Sequence, residues 1–428
     1  MQIDSPIAGA KGMICGGGPS STKSHAPLRV MVFSTLYPSA ARPRHGVFVE
    51  TRLQQLLGTD AIDARVVAPV PWFPSTHARF GAYAALARTQ RDEVLNGVRV
   101  LHPRYPLPPR VGMTVAPVLL ALGAIGAVRR LRAEGFDFDL IDAHYFYPDG
   151  VAAALLATWC ERPFVVTARG SDLNVIANHH LPRSMMQWAA RRAAANIAVS
   201  QALADIIHGW GIDREHVHVL RNGVDAQRFR PMDRREARQQ LGIVGGPVLA
   251  IVGNLVAVKR HRFALETLAA LTPEHPRAQL LVVGDGPLRA DLQACAAALG
   301  IAARVHFAGT RPQSELPIWY SAADLLLLPS EFEGWPNVAL EAMACGTPVV
   351  ASRVGGLPEI VTRPDVGLLV DPNDPTAFVD ATHQLLSRSA ARTVVRAYAE
   401  SMGWKPTTSA LIDLFCRVAR SSVDCAQT

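Results

Sequence analysis

Two glutamates eight positions apart, Glu333 and Glu341, sit in the most chemically suggestive stretch of this 428-residue chain: Pro329-Ser330-Glu331-Phe332-Glu333-Gly334-Trp335-Pro336-Asn337-Val338-Ala339-Leu340-Glu341. An ionised carboxylate accepts two hydrogen bonds from a vicinal diol, so such residues suit ribose and hexose hydroxyls. Residues 324–328 form an apolar run that reads as a buried strand, and Pro329-Ser330 turns the chain out of it. Gly334 keeps the following loop small, and a helical pattern starts near Pro336, where a missing N–H costs nothing. The free amides of that helix start, those of Asn337 and Val338 among them, suit a diphosphate together with the helix dipole. Spacing alone leaves two readings open: a hydroxyl-and-phosphate site, or two surface charges on an ordinary packing helix.

Other stretches end strands in the same way. Gly253-Asn254-Leu255-Val256-Ala257-Val258-Lys259-Arg260 leads from an apolar run to two cations, suited to phosphate contact or to plain solvation. Gly284-Asp285-Gly286-Pro287 is either a backbone approach to a nucleotide or a turn. His45-Gly46-Val47-Phe48 opens a helix after the first strand. His144, in Ala143-His144-Tyr145, reads equally as a substrate contact and as a satisfied core histidine. Arg169 and Asp172 lie in a further strand-end loop, Thr167-Ala168-Arg169-Gly170-Ser171-Asp172. Asp137-Phe138-Asp139 has a metal-diphosphate pattern but runs into a strand, and there is no His-Glu-x-x-His set, so no metal site is expected.

The stretch 329–348 resembles, nearly residue for residue, the donor-binding motif of family 4 glycosyltransferases of the GT-B fold, whose two glutamates are separated by seven residues. The resemblance runs from about 28 to 418 and is densest between 251 and 369. It implies a retaining enzyme that uses a UDP- or GDP-sugar as substrate, with no further cofactor. It also implies that Glu333 approaches the transferred sugar, Glu341 holds the ribose and Lys259 meets the diphosphate, while the Gly46 loop faces the phosphates across a cleft. Two positions depart from the family. Asn254 stands where an arginine is usual, leaving Arg260 to supply the missing charge. Arg169 stands where many relatives carry a histidine near the reacting sugar, so Arg169 or Asp172 is left to orient donor or acceptor. Gly355-Gly356-Leu357-Pro358-Glu359 matches a family loop with a structural role.

These loops need strands to carry them. Apolar runs alternate with helix-length segments, the signature of parallel α/β sheets. Strands are expected at 28–34, 64–68, 140–143, 164–167, 196–199 and 217–220, then at 248–252, 279–283, 305–307, 324–328 and 349–352. Helices are expected at 47–57, 114–133, 149–159, 183–194 and 201–210, then at 261–271, 288–299, 314–322, 338–345 and 375–388. Asp149, Ser200 and Asp374 are the caps. The expected architecture is two Rossmann-like domains facing a cleft, with a terminal helix near 408–418 returning to the first. The divisions are a flexible leader at 1–27, an acceptor-side domain at 28–225, a donor domain at 226–404 whose opening stretch 227–246 is a linker, and the returning segment at 405–428.

The hydrophobic fraction of 49% and charged fraction of 18% describe a globular chain. The longest apolar run, 115–128, falls short of the roughly 20 residues that span a bilayer. Six scattered cysteines without a C-x-x-C pair suggest a reducing, cytoplasmic setting. A net charge of +7 points to an anionic partner. Arg99, Arg104, Arg110, Arg129, Arg130 and Arg132 lie in one acid-free interval, and Arg183, Arg191 and Arg192 in another. They suggest a well-solvated basic face, or peripheral contact with an anionic membrane at the inner-membrane face, where an acceptor glycan or lipid-linked sugar would be presented. Polysaccharide or glycolipid synthesis follows as the expected role. A sugar-nucleotide epimerase or a glycan phosphorylase is the alternative on the same fold. No aromatic-interleaved basic repeat supports nucleic-acid binding.

Overall fold

The computed structural model describes residues 26–108, 112–388 and 391–426, with side chains described to 421. Most of the expected leader, and Arg110, lie outside them. In the N-terminal half an eight-stranded sheet runs in the order Val217–Val219, Ala195–Ala198, Phe164–Ala168, Leu140–His144, Leu28–Phe33, Ile62–Val67, Val98–Leu101, Asp92–Leu95. Only the last pair is antiparallel. Strands such as Leu140–His144 and Phe164–Ala168 are buried along their whole length, as a parallel sheet with helices on both faces requires. The second sheet is wholly parallel, in the order Val305–Gly309, Gln279–Val283, Val248–Val252, Leu325–Leu328, Val349–Ser352, Gly367–Val370.

Each sheet reverses its winding at one place. In the first, Leu28–Phe33 lies between Ile62–Val67 and Leu140–His144, with Val30 opposite Leu140. In the second, Val248–Val252 pairs with Leu325–Leu328, Leu249 opposite Leu325. Crevices at such switch points, outside the carboxyl ends of the strands, are where open α/β sheets bind ligands. The loops bearing Lys259 and Glu333 leave the second sheet there.

The halves meet along those carboxyl edges. A Cβ on Gly334 would stand 2.1 Å from the Arg169 carbonyl oxygen, and one on Gly170 would stand 2.9 Å from the Gly334 Cα. Only glycine allows the two backbones so close. The final helix, Lys405–Ala426, returns to the first domain and is longer than 408–418. Its Leu411, Leu414, Phe415 and Val418 pack among Val30, Val49, Leu53 and Ile197.

Several local expectations are corrected. The stretch 227–246 is not a bare linker: Asp233 caps the helix Arg234–Gln240, and Arg238 ties it to Asp324 at 2.7 Å. Asp149 caps no helix. The helix starts at Val151, and the buried Asp149 carboxylate instead accepts from the amide and hydroxyl of Thr35. Ser200 precedes the helix Gln201–His208 but its hydroxyl makes no capping bond. Asp374 does cap, accepting from the Ala377 amide at 2.9 Å. The hairpin Asp92–Leu95/Val98–Leu101, turning on Asn96 and Gly97 at positive φ, is an addition.

The apolar run near 115–128 belongs to a 22-residue helix, Gly112–Ala133, long and apolar enough by composition to cross a membrane. One side of it packs into the domain core through Leu120, Ala124, Val128 and Leu131, while Met113, Val118 and Leu122 on its other side are exposed. The basic interval around it is largely neutralised by the fold. Arg99 and Arg130 both pair with Asp92 and Glu134, Arg132 pairs with Asp137, and Arg104 donates to backbone carbonyls.

Candidate active site

On the C-terminal wall, Lys259 and Glu333 meet. The Lys259 ammonium is 2.6 Å from Glu333 Oε1, and Ser330 Oγ donates to the same oxygen at 2.7 Å. Glu333 is 7% exposed, so its charge is shielded from water yet countered by Lys259. The helix that follows is Asn337–Ala344. Pro336 is the extended residue before it and not its first turn, and no side chain caps it. Its leading amides therefore stay available to an anion. Glu341 lies inside this helix, 7% exposed, and accepts from the Tyr320 hydroxyl at 2.8 Å. Burial pushes its pKa up to about 7, against the Tyr320 bond and the nearby Arg228.

Glu341 and Asn337 line a pocket with Phe48 and Thr51 of the first domain. Gly46 precedes that opposing helix, Val47–Leu57, in a left-handed conformation. A Cβ there would stand 2.2 Å from the Leu36 carbonyl. Gly284 and Gly286 are closely packed, as Cβ atoms on them would stand 1.9 Å from the Gly253 oxygen and 2.6 Å from the Leu255 oxygen. Gly253 itself lies beneath the Lys259 side chain. Asn254 is exposed beside this packed loop. Arg260 does not replace the missing cation, because its guanidinium donates to the Pro372 carbonyl at 2.6 Å and lies over Phe263.

The N-terminal wall holds a buried relay. Arg52, on the inner face of Val47–Leu57, donates to Thr167 at 2.9 Å and lies 3.5 Å from Asp142. Asp142 also takes His144 Nε2 at 3.1 Å, and Arg169 reaches His144 Nδ1. An arginine only donates, so His144 Nδ1 must accept and Nε2 carries the proton. The ring is neutral, its pKa pushed down to about 4 by burial. Burial raises Asp142, but His144 and Arg52 outweigh it and hold the carboxyl at about 2.

This corrects two assignments. His144 is 1% exposed with both nitrogens occupied by Asp142 and Arg169, the satisfied core histidine of the two readings, held behind Arg169. Asp172 is fully buried and accepts from the amides of Phe146, Arg169 and Gly170, so it shapes the loop. Arg169 itself reaches the cleft, over the Phe48 ring and bonded to Asn222, which donates to Asn337 across the gap at 3.2 Å. Its own side-chain partners are His144 and Asn222, both uncharged, and its Nε has none. Burial beside Arg52 lowers its pKa to about 9. A cation so placed favours an incoming anion.

Asp137 and Asp139 are elsewhere, at the amino end of Leu140–His144, engaged by Arg132, Arg162 and the Arg29 amide. Sequence reasoning missed Arg52, Asn222, Ser330 and Tyr320 as parts of the site. Arg52 carried a signal, for a cation sits in the buried series Val49, Arg52, Leu53, Leu56.

The family model described as Glycosyl transferases group 1 matches residues 233–402, and that for Glycosyltransferase Family 4 matches 82–228. The D-inositol 3-phosphate glycosyltransferase 1 of Catenulispora acidiphila is 31% identical, over 95% of this chain and 98% of its own. That of Corynebacterium urealyticum is 33% identical, over 70% of this chain and 76% of its own. The 2-deoxystreptamine glucosyltransferase of Streptomyces kanamyceticus is 32% identical, over 72% and 84%. Among solved structures, sucrose-phosphate synthase of Thermosynechococcus elongatus superposes with a TM-score of 0.75 at 20% identity, covering 92% of this chain and all of the other. Anabaena HepE in complex with UDP gives 0.69 at 21% identity, covering 91% of this chain and all of the other.

Proposed function

The chain belongs to glycosyltransferase family 4, with the GT-B fold, and from that premise we propose that it moves a hexose from a UDP- or GDP-sugar with retention of configuration. The observation that carries the reading is the Lys259–Glu333 pair beside an uncapped helix start, facing Arg169 and Phe48. Glu341 takes the ribose hydroxyls, and the amides of Asn337 and Val338 take the diphosphate. Lys259 and Arg169 stabilise charge on the departing diphosphate, Arg169 standing in for the cation that Asn254 cannot supply. The bond from the anomeric carbon to phosphate breaks as the acceptor oxygen bonds to the same face, and the acceptor's proton passes to the departing phosphate oxygen. Neither His144 nor Asp172 is needed as a base. The donor is the only cofactor-like molecule in this scheme.

The acceptor we assign is a hydroxyl of a glycan or lipid-linked sugar, in polysaccharide or glycolipid synthesis. The cyclitol names carried by the relatives favour a second reading, an inositol phosphate or aminocyclitol acceptor. The protein works at the cytoplasmic face of the inner membrane, touching anionic lipid through the exposed apolar side of Gly112–Ala133 at Val118 and Leu122. Incubation with UDP- and GDP-sugars and each acceptor class, with the product anomer read by NMR, tests the chemistry. An inverted product, or turnover without an acceptor, would sink it. Co-sedimentation with anionic vesicles that survives Leu122→Glu unchanged would remove the membrane contact.

A further inference from the structure

A second cluster of ligand-bearing side chains lies at the opposite end of the C-terminal domain from the cleft. Helix His261–Ala270 starts beside Lys259 and runs back about 15 Å to a turn that carries Glu274 and His275. Helix Pro375–Arg388 brings His383 against that turn. One ligand atom from each of the three lies within 4.8 Å of the others. His383 Nδ1 is 2.9 Å from a Glu274 carboxylate oxygen, and the two imidazole centroids are 5.5 Å apart. His275 Nε2 is buried with no hydrogen-bond partner among the described residues. Buried polar atoms are rarely left so, and an orphaned ring nitrogen beside a second imidazole and a carboxylate calls for a ligand.

We propose that Glu274, His275 and His383 form a site for a divalent transition metal of the zinc type. Two imidazoles and one carboxylate suit zinc and its neighbours in that row, not the all-oxygen shells of magnesium or calcium. Three protein ligands leave a fourth position, open to solvent because Glu274 is exposed. The site is partly preorganised. The His275 amide donates to the Leu271 carbonyl at 2.8 Å, and its carbonyl accepts from Ala278 at 2.9 Å, so the turn cannot swing away.

Bound there, the metal would pin together the two helices that flank a cavity of about 280 Å³ lined by Phe263, Thr267, Pro375 and Val379. The loop before the second helix is held by Arg260 at Pro372, next in sequence to Lys259. The metal is therefore a staple of the donor domain and takes no part in sugar transfer.

Untagged full-length protein, stripped by a chelator, is titrated with zinc chloride by calorimetry and with cobalt(II) as an optical probe. One equivalent should bind, cobalt should give a tetrahedral visible spectrum, and the melting temperature should rise. His383→Ala, at a half-exposed position that the fold tolerates, should weaken zinc binding by more than about tenfold and abolish the melting shift. His216→Ala, in the exposed group Asp213, Glu215 and His216, should change neither. Uptake that is absent, or that persists undiminished in His383→Ala, overturns the site.

Discussion

The two walls of the cleft are built on opposite plans. On the C-terminal wall Ser330, Glu333 and Glu341 come from one stretch, Tyr320 from the helix just before it, and Lys259 from 74 positions away. On the N-terminal wall Arg52, Arg169, Asn222 and the strand that carries both Asp142 and His144 are four separate segments, joined across separations of 90, 25 and 53 positions. The first wall leaves its ion pair at the edge of the cleft. The second buries a chain of charges and passes a single guanidinium forward. A contiguous motif can carry the groups that hold a nucleotide, whereas the charge facing them has to be assembled by the fold.

The largest effects should separate the walls by observable. Arg52→Met leaves Asp142 buried without its cation, and such a deletion costs about 3–5 kcal/mol. The expected outcome is a lower urea midpoint at unchanged slope. A loss under about 1 kcal/mol would mean that the relay does not hold up its wall. Lys259→Met should act on rate instead, lowering kcat about 10²–10³-fold as one stabilising contact to the leaving diphosphate goes. If that variant kept its turnover, the C-terminal wall would be no more than a binding surface.

The same contrast governs what could be read in advance. The donor loop, the switch-point strands and eleven helices, the terminal one included, were legible because hydrophobic periodicity is local. The helix start erred by a single residue, at Pro336. The hairpin at Asn96-Gly97 was also written locally and was missed as a turn signal. The N-terminal wall was not legible. Asp149 looks like a cap, but the turn after Tyr145, at φ 83, leaves it two residues short of the helix start at Val151 and turns its carboxylate to Thr35. Arg99 to Arg132 look like a basic face because Asp92, Glu134 and Asp137 lie outside the interval and only the fold brings them in. Arg169 appeared as a departure from a family pattern, and nothing local disclosed the His144 and Asp142 behind it.

A third experiment sharpens the contrast through pH. Glu341 has a pKa raised by burial from an ordinary 4.5 to about 7. A carboxyl raised in this way contributes stability that is fully present below about 4.5 and lost as pH rises through about 7. Glu341→Gln removes that dependence. The stability difference between variant and wild type should therefore move in the variant's favour by up to about 3 kcal/mol between pH 4.5 and 8. Over the same window the wild type should bind donor more tightly, because only the ionised form accepts from both ribose hydroxyls, and the variant should not. A wild-type donor affinity flat from pH 5.5 to 8 would separate Glu341 from ribose binding.

The smallest effect tests how the walls are held together. Glu359, in the loop 355–359 expected to be structural, crosses to the first domain. Its Oε1 accepts from the Gln201 amide at 2.7 Å, and its Oε2 pairs with Arg221. It thereby supplies from the other domain the cap that Ser200 fails to give. The loop is pressed against the donor motif, since Cβ atoms on Gly355 and Gly356 would stand 1.8 Å from the Glu333 oxygen and 2.6 Å from the Gly334 oxygen. Removing a helix cap costs about 1 kcal/mol, and the Arg221 pair adds little because Arg221 is 43% exposed. Both contacts exist only while the domains are closed, so Glu359→Ala should weaken closure and leave the unfolding of either domain nearly unchanged. The expected result is a fall in kcat/KM of about fivefold, carried mainly by KM for the donor. Glu359→Gln, whose amide oxygen can still accept from Gln201, should recover part of it. A change confined to melting temperature would make Glu359 an ordinary surface cap and leave the joining of the walls to contacts such as Gly170–Gly334, Asn222–Asn337 and the returning terminal helix.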